Sequence, residues 1–310
     1  MELLQLQYFR TVARLEHMTR AAQELRIAQP ALSKTIARLE EHVGVPLFDR
    51  QSGRIRLNAF GRTFLHKVET ALNLLEEAKR EVAELAGLEQ GSIRLVTSTM
   101  TSLVEPIREF LERHPNVDMQ ITHAASMDEL AASIDSGEAD IGFSVMPIDR
   151  EGVEQSRVLG EELYLVVPRK HRLAGRSAVR LADAAGEPFI GYKEGFIFQD
   201  VNDALFRQAG ISPRFVCRVD EPAAILSLVR AGLGVALFAC INPDDPELVY
   251  LPIKRPVCRR DYWLVWPQRR YLSLAARKFI DFIGGYFAEE NRKSGFFRGT
   301  DWRTMSAGEV

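Results

Sequence analysis

Cysteine is scarce in this chain of 310 residues: Cys217, Cys240 and Cys258 are far apart, odd in number and without a CxxC spacing. Neither a disulfide framework nor a thiolate metal cluster is expected from them; reduced thiols in a cytoplasm are. No apolar run reaches the roughly eighteen residues that a membrane span needs, so no contact with a membrane is expected. Met1-Glu2-Leu3-Leu4-Gln5 has no basic region followed by an apolar stretch, which argues against a secretory signal there. The six histidines (His17, His42, His66, His114, His123 and His171) are scattered without metal-ligand spacing. GxSxG, GxxxxGK and GxGxxG are all missing, and Gly232-Leu233-Gly234 suits a tight turn from helix to strand. Acidic pairs such as Glu40-Glu41 read as surface charges. No enzyme activity, metal or cofactor is expected.

The net charge of −2 does not by itself suggest a nucleic-acid binder, but the charge is unevenly placed. Residues 1–60 hold nine basic and six acidic side chains, an excess of +3 that leaves −5 for the rest. A positive head on an acidic body is expected where only the head meets phosphate. The length suggests two or three domains. In the head, Leu6, Phe9, Val12, Ala13 and Leu15 recur at helical spacing. Thr19 is a plausible N-cap for a second helix from Arg20 to Leu25, and Arg26-Ile27-Ala28-Gln29 is only long enough for a turn. Pro30 then opens a third helix, where its missing N–H costs nothing. Leu32, Ile36, Leu39 and Val43 form the apolar stripe of that helix. At about 100° per residue, Pro30, Lys34, Ala37 and Glu41 point the opposite way, flanked by Ser33 and Arg38. An apolar back with short polar and basic groups in front suits a recognition helix in a major groove. The same periodicity also suits an ordinary three-helix bundle with a solvated face.

Asp49 to Leu57 narrows the choice. It reads as two short strands about a Ser52-Gly53 turn, carrying Arg50, Arg54 and Arg56. A basic hairpin after a helix-turn-helix is a wing suited to phosphate or minor-groove contact. The run LQYFRTVARLEHMTRAAQELRIAQPALSKTIARLEEHVGVPLFDR, with IRLNAFG after it, resembles the head of LysR-type transcriptional regulators from Leu6 to Gly61. That resemblance implies that Gln29, Pro30, Ser33 and Lys34 face the bases of double-stranded promoter or operator DNA. It also implies that Thr19, Arg50 and Arg54 face the backbone or minor groove. The chain departs from the family at Ala28, where serine is usual, and at Met18, where phenylalanine is usual.

From Phe60 to Leu85 the apolar positions Phe60, Phe64, Val68, Ala71, Leu75, Ala78, Val82 and Leu85 are spaced three or four apart. This is nearly a heptad seam, suited to a parallel or antiparallel coil with a second copy or to packing on its own domain. The family resemblance favours the former and implies a homodimer, a tetramer built from it, and contact with RNA polymerase. Beyond Gly91 the body alternates strands (Ile93–Val96, Val117–Thr122, Asp140–Val145) with helices (Leu103–Arg113, Met127–Ser136), so a mostly parallel sheet is expected. Leu163–Pro168 and Trp263–Pro267 suit paired crossovers to a second lobe containing Phe189-Ile190-Gly191 and helices at Gln199–Ala209 and Ala223–Arg230. A final helix runs from Leu272 to Phe287.

The fold class expected is therefore an all-α winged helix-turn-helix with a long linker helix, followed by a two-lobed α/β clamshell resembling a periplasmic binding protein. EPAAILSLVRAGLGVALFA (Glu221–Ala239) resembles the sensing half of the same family. The expected division is 1–58 for DNA binding, 59–88 for the linker, 91–290 for effector binding and 291–310 as a tail. One lobe takes 91–163 and 268–290, the other 164–267. The segment Thr97–Ser102 lies between a strand and a helix, where hydroxyls and unpaired N–H groups favour an anion. The resemblance offers Ser98, Thr99, Met100 and Thr101 for a small-molecule effector. It adds Ser126, Met127, Ser144 and Val145, with Tyr192, Lys193, Phe196 and Phe198 from the other lobe. Each hydroxyl suits a plain helix cap equally well. Lys193 is the nearest candidate cation, and a weakly anionic or partly aromatic effector suits this lining. The alternative is a clamshell binding protein or enzyme carrying a helical head.

Overall fold

Helix α1 (Leu3–Leu15) buries Phe9, Val12 and Ala13, the apolar positions read from its periodicity. The computed structural model to which it belongs describes residues 1–51, 54–87 and 91–294. The Ser52-Gly53 turn and tail residues 295–310 lie outside the described residues, as do the side chains of Gln51, Arg54, Lys293 and Ser294. The chain divides into two compact units, Met1–Gln90 with Asp135–Ala139, and Gly91–Ile134 with Asp140–Val310.

In the first unit, α2 (Met18–Glu24) starts earlier than expected, and its cap is His17 rather than Thr19. The backbone of His17 is extended (φ −149, ψ 102), which lets its Nδ1 accept from the Arg20 N–H at 3.3 Å. Helix α3 (Gln29–Val43) opens one residue before Pro30 and ends at Gly44, whose φ of +86 a side chain would resist. Strands β1 (Phe48–Gln51) and β2 (Arg54–Leu57) pair antiparallel as the expected hairpin. Asn58 then caps α4 (Ala59–Leu85) by accepting from the Gly61 N–H at 2.8 Å.

Two carboxylates fasten the hairpin to the helices. Glu16 ends α1 in the left-handed region and accepts from the Leu57 N–H at 2.8 Å. Glu40, expected to be a surface charge, accepts from the N–H groups of Leu47 (2.8 Å) and Phe48 (3.2 Å) and pairs with Arg50. The core beneath joins Phe9, Leu32, Ile36 and Leu39 to Phe48 and to Val68 and Leu72 of α4. Phe9 lies 5.5 Å from the Phe48 ring and 5.3 Å from that of Phe64.

The expected seam on α4 is therefore split. Val68 and Leu72 are buried against the head, whereas Phe60, Leu74, Leu75, Val82 and Leu85 are exposed.

The second unit begins with β3 (Ser92–Thr97), α5 (Val104–Arg113), β4 (Asp118–His123), α6 (Met127–Ser136) and β5 (Ile141–Ser144). It continues with β6 (Val153–Pro168), β7 (Pro188–Tyr192), α7 (Ile197–Gln208), β8 (Arg214–Val219), α8 (Pro222–Arg230) and β9 (Ala236–Ala239). It closes with β10 (Leu248–Pro252), β11 (Arg259–Pro267) and α9 (Leu274–Ser294).

The expectation of a mostly parallel sheet does not hold. The large sheet runs β10-β6-β11-β5-β3-β4 with β9 also on β6, and only β4-β3-β5 is parallel within it. The crossover segments are parts of longer strands: β6 and β11 pair antiparallel from Val153↔Pro267 to Glu162↔Arg259. The end of β6 then pairs with β9 and β10 in the second lobe. Its alternating side chains serve two cores, Leu163, Leu165 and Val167 on one side and Val158 and Val166 on the other.

Gly61 lies where a Cβ would meet the Leu47 carbonyl oxygen at 2.1 Å. Gly61→Ala is expected to destabilise the head by about 1–3 kcal/mol, because the obstacle is backbone. Hydrogen exchange at the Phe9 and Val12 amides checks this; unchanged protection would show that Leu47 yields freely.

Candidate functional site

On the first unit, the positions proposed from sequence gather on one face. Thr19 from α2, Gln29 and Ser33 from α3 and Arg50 from β1 line a single cavity of about 450 Å³, together with Glu16, His17, Met18 and Ile55. The move of the α2 cap to His17 leaves the Thr19 hydroxyl with no capping duty. Gln29, Pro30, Lys34 and Arg38 are exposed; Pro30 and Lys34 stand on the side of α3 opposite buried Leu32, Ile36 and Leu39, Arg38 flanks them, and Gln29 stands in line with the buried stripe at the start of the helix. Ser33 is half-buried at its edge. Strand alternation buries Ile55 and exposes Arg56. Lys34, Arg38 and Arg56 have no ion-pair partner among the described residues, while Arg50 is held by Glu40 at 3.3 Å. The side chain of Arg54 lies outside the described residues. Such a surface offers cations and short hydrogen-bonding groups on a protruding helix beside a basic hairpin, which suits a nucleic-acid groove and its phosphates.

In the body, the hydroxyls after β3 are tied into local turns. Thr97 Oγ1 donates to the Thr99 carbonyl at 2.7 Å, and Thr99 Oγ1 accepts from the Thr101 N–H at 3.3 Å. Helix α5 starts at Val104 rather than near Ser102, because the N–H groups of Leu103 and Val104 both donate to the Met100 carbonyl. Ser98 Oγ is buried with no hydrogen-bond partner among the described residues. Ser126 is a helix cap: its Oγ accepts from the Glu129 N–H at 3.2 Å, and Glu129 accepts from the Ala125 N–H at 2.8 Å. Ser144 Oγ donates to the sulfur of Met127, and Val145 is buried next to it.

The second lobe meets these loops directly, since the Ile197 N–H donates to the Ala125 carbonyl at 3.1 Å. Tyr192, Phe196 and Phe198 form a buried stack, with centroids 5.3 Å (Tyr192–Phe196) and 5.5 Å (Tyr192–Phe198) apart. Burial pushes the Tyr192 phenol up to about 12. Lys193 does not join them. Its ammonium pairs at 2.6 Å with Asp220 at the surface, and that hydrogen bond holds the Asp220 carboxyl below the usual range.

The buried cation at this place is Arg260, which pattern reading missed. Its Nε donates to Glu161 at 2.7 Å, its guanidinium lies over the Phe198 ring at 4.5 Å, and the Tyr262 hydroxyl donates to Glu161 at 2.8 Å. Burial opposes the charge on Arg260, but Tyr262, Glu161 and Tyr192 around it hold its pKa above the ordinary arginine value. The signal was in the strand: Arg260 shares the parity of Tyr262 and Leu264, all buried, so an arginine stands on an apolar face.

Residues 3–62 match the family model described as the bacterial regulatory helix-turn-helix protein of the lysR family, and residues 86–288 match the LysR substrate binding domain. The regulator YybE of Bacillus subtilis is 35% identical over 293 residues, spanning 93% of this chain and 100% of that protein. The transcriptional dual regulator GltC of the same organism is 31% identical, spanning 93% and 98%. Among solved structures, the LysR family regulator CbnR superposes with a TM-score of 0.69 at 26% identity, over 91% of this chain and 98% of that one. Full-length CbnR in complex with its target DNA gives the same score and identity.

Arg260→Met leaves the Glu161 carboxylate without its cation. The body is expected to lose about 3 kcal/mol, and Arg260→Met with Glu161→Gln to recover most of it. Denaturant unfolding followed by tryptophan fluorescence measures this, since Trp263 and Trp266 share a strand with Arg260. Identical midpoints in all three proteins would show the pair to be idle.

Proposed function

The chain belongs to the LysR family of DNA-binding transcriptional regulators with an effector-binding body, and from that premise we propose which of its residues perform each task. Gln29, Pro30, Ser33 and Lys34 read base edges in the major groove. Thr19, Arg38, Arg50, Arg54 and Arg56 hold phosphates or the adjacent minor groove. The observation that carries this is the gathering of Thr19, Gln29, Ser33 and Arg50 around one cavity, on a unit whose Lys34, Arg38 and Arg56 have no ion-pair partner among the described residues. Phosphate contacts supply affinity and set its salt dependence, while the few groups on α3 supply sequence preference. The working division is 1–58 for DNA, 59–88 for the linker and 91–290 for the effector, with lobes of 91–163 plus 268–290 and 164–267.

The effector occupies the region between the lobes, near Ser98, Thr99, Met100, Thr101, Ser126, Met127, Ser144, Val145, Tyr192, Phe196 and Phe198. Support comes from the buried Ser98 hydroxyl, which has no hydrogen-bond partner among the described residues, and from the contact of the Ala125 loop with α7. An effector that prefers one arrangement of the lobes shifts the protein toward it, and operator DNA then changes effector affinity by the same factor. Lys193 has no part in this reading, being committed to Asp220. The regulator acts in the cytoplasm, without catalysis, and its output passes to RNA polymerase.

Lys34→Ala and Gln29→Ala are each expected to weaken operator binding by about 1–3 kcal/mol while leaving thermal stability unchanged. Gel shifts with the gene's own upstream DNA against random duplex measure this. Wild type and mutants that bind both duplexes equally would sink the assignment.

The exposed apolar positions on α4 support a homodimer, with further pairing into a tetramer. Leu75 is 47% exposed, so Leu75→Asp is tolerated by the single chain and penalised only where a second copy buries it. Light scattering is expected to report a lower mass than wild type. An unchanged mass would place the contact elsewhere.

A further inference from the structure

The second lobe carries a positive surface, none of whose residues belongs to the proposed effector region. Residues 170–187 together with Lys254 and Arg255 hold six lysines and arginines and two carboxylates. That excess of +4 stands within residues 61–310, which carry −5 in all. Backbone hydrogen bonds join the two segments. The Val179 N–H donates to the Pro252 carbonyl at 2.9 Å, the Lys254 N–H to that of Val179 at 2.8 Å, and the Leu181 N–H to that of Arg255 at 3.0 Å. Val179 and Leu181 are buried, so the alternation of an extended chain turns Arg180 outward beside Lys254 and Arg255.

The ion pairs of this face have the acids beneath. Asp183 accepts from the guanidinium groups of Arg180 at 2.9 Å and Arg176 at 3.3 Å, and Glu187 accepts from that of Arg172 at 2.6 Å. Asp183 also closes the short 3-10 turn Leu181–Ala184 by accepting from the Arg180 N–H at 3.1 Å. The side chains of Asp183 and Glu187 are 17% and 14% exposed, whereas those of Arg172, Arg176 and Arg180 are 58%, 52% and 69% exposed. A partner approaching this face meets the cations first, already oriented by the carboxylates behind them. Lys170, Lys254 and Arg255 are exposed as well and have no ion-pair partner among the described residues.

The rest of the face decides which anion fits it. Apart from the cations, the exposed residues between Lys170 and Glu187 are Gly175, Ser177, Ala182, Ala185 and Gly186, all small. Residues 170–187 and 252–257 contain no phenylalanine, tyrosine or tryptophan. Protein interfaces draw most of their energy from large anchors, and single-stranded nucleic acid is held by aromatic stacking. Val257, exposed two residues past Arg255, is a single apolar side chain of the kind that any surface carries. Small residues between forward cations let a line of phosphates approach closely, which suits the backbone of duplex DNA.

We propose that this face of the second lobe is a second DNA contact, which grips the phosphates of the duplex flanking the site that the head reads. The inference goes beyond the reading of the head as the DNA-binding unit and rests on it, since the head tethers the body to DNA. A tethered contact meets its target at an effective concentration of roughly millimolar, so a face too weak to hold DNA alone is engaged once the head is bound. It reads no sequence. It adds counter-ion release, worth about 0.9 in the salt slope for each phosphate neutralised.

The test compares the full-length chain with its variant Lys170→Gln/Lys254→Gln/Arg255→Gln. That variant removes only exposed cations without ion pairs, so it is expected to melt with wild type. Fluorescence anisotropy across a salt series gives the slope of log K against log salt on two duplexes of upstream DNA. One is trimmed to the bases that the head protects, and the other keeps its natural flanks. On the flanked duplex the variant is expected to lose about two to three units of slope, and on the trimmed duplex to match wild type. Arg38→Ala, in the head, is expected to lower the slope by about one unit on both. An unchanged slope on the flanked duplex overturns the proposal and leaves the face to an acidic protein. An equal loss on both duplexes overturns it too, because the cations then act through their field and not by contact with the flanks. Wild type that binds upstream DNA no better than random duplex counts against the reading of the head, and the proposal falls with its tether.

Discussion

The antiparallel ladder between β6 and β11 is the constraint on which the body depends. It carries hydrogen bonds from Val153↔Pro267 to Glu162↔Arg259, and β6 then continues without a break into pairing with β9 and β10. The two lobes share backbone hydrogen bonds along common strands and are not beads on a flexible tether. Motion between them must pass through twisting of that ribbon. The register shift at Tyr262/Trp263 is where a ribbon bends most readily, and it lies two residues from Arg260. Buried charge, lobe contact and the irregular step of the ladder are thus concentrated in one short stretch of β11.

Much of the fold was legible because it rests on local periodicity. The buried stripes of α1 and α3, the basic hairpin and the bounds of α6 follow from residue spacing alone. What was not legible depends on partners distant in sequence. Strand direction leaves no mark on an apolar run, so the parallel pairing expected from the strands of the first lobe, which holds for β4-β3-β5, was extended to a sheet whose remaining pairs are antiparallel. β8 went unread because the apolar run Phe215-Val216-Cys217 is short, is flanked by Arg214 and Arg218, and has no fully buried face to give it a clean alternation. Glu40 looked like a solvated charge, and Glu16 gave no signal at all, because the N–H groups they accept from belong to the hairpin and the turn before it.

The candidate sites divide in the same way. On the head, the functional face is what remains after the core stripe is subtracted, so periodicity finds both at once. In the body, residue type alone does not separate a receptor hydroxyl from a cap. Ser126 and Thr99 spend theirs on neighbouring N–H groups, and Ser98 does not. Lys193 and Arg260 show the same difficulty for charge. The lysine nearer the aromatic cluster in sequence is neutralised at the surface, and the arginine more than sixty residues later is enclosed by it.

The linker helix α4 divides its apolar side chains between two fates along one rod. Val68 and Leu72 complete the head's core, whereas Leu74, Leu75, Val82 and Leu85 have no cover within the unit. The first half is therefore as stable as the head and independent of protein concentration. The second half buries no apolar side chain of its own and is held by local contacts such as the Lys79–Glu76 ion pair together with intrinsic propensity, which is marginal for a few turns in water. Whatever covers the exposed stripe adds its free energy to helix formation by mass action. The length of ordered helix in α4 is then not a fixed property of the chain but a function of dilution, with the last turns melting first as the protein becomes scarce.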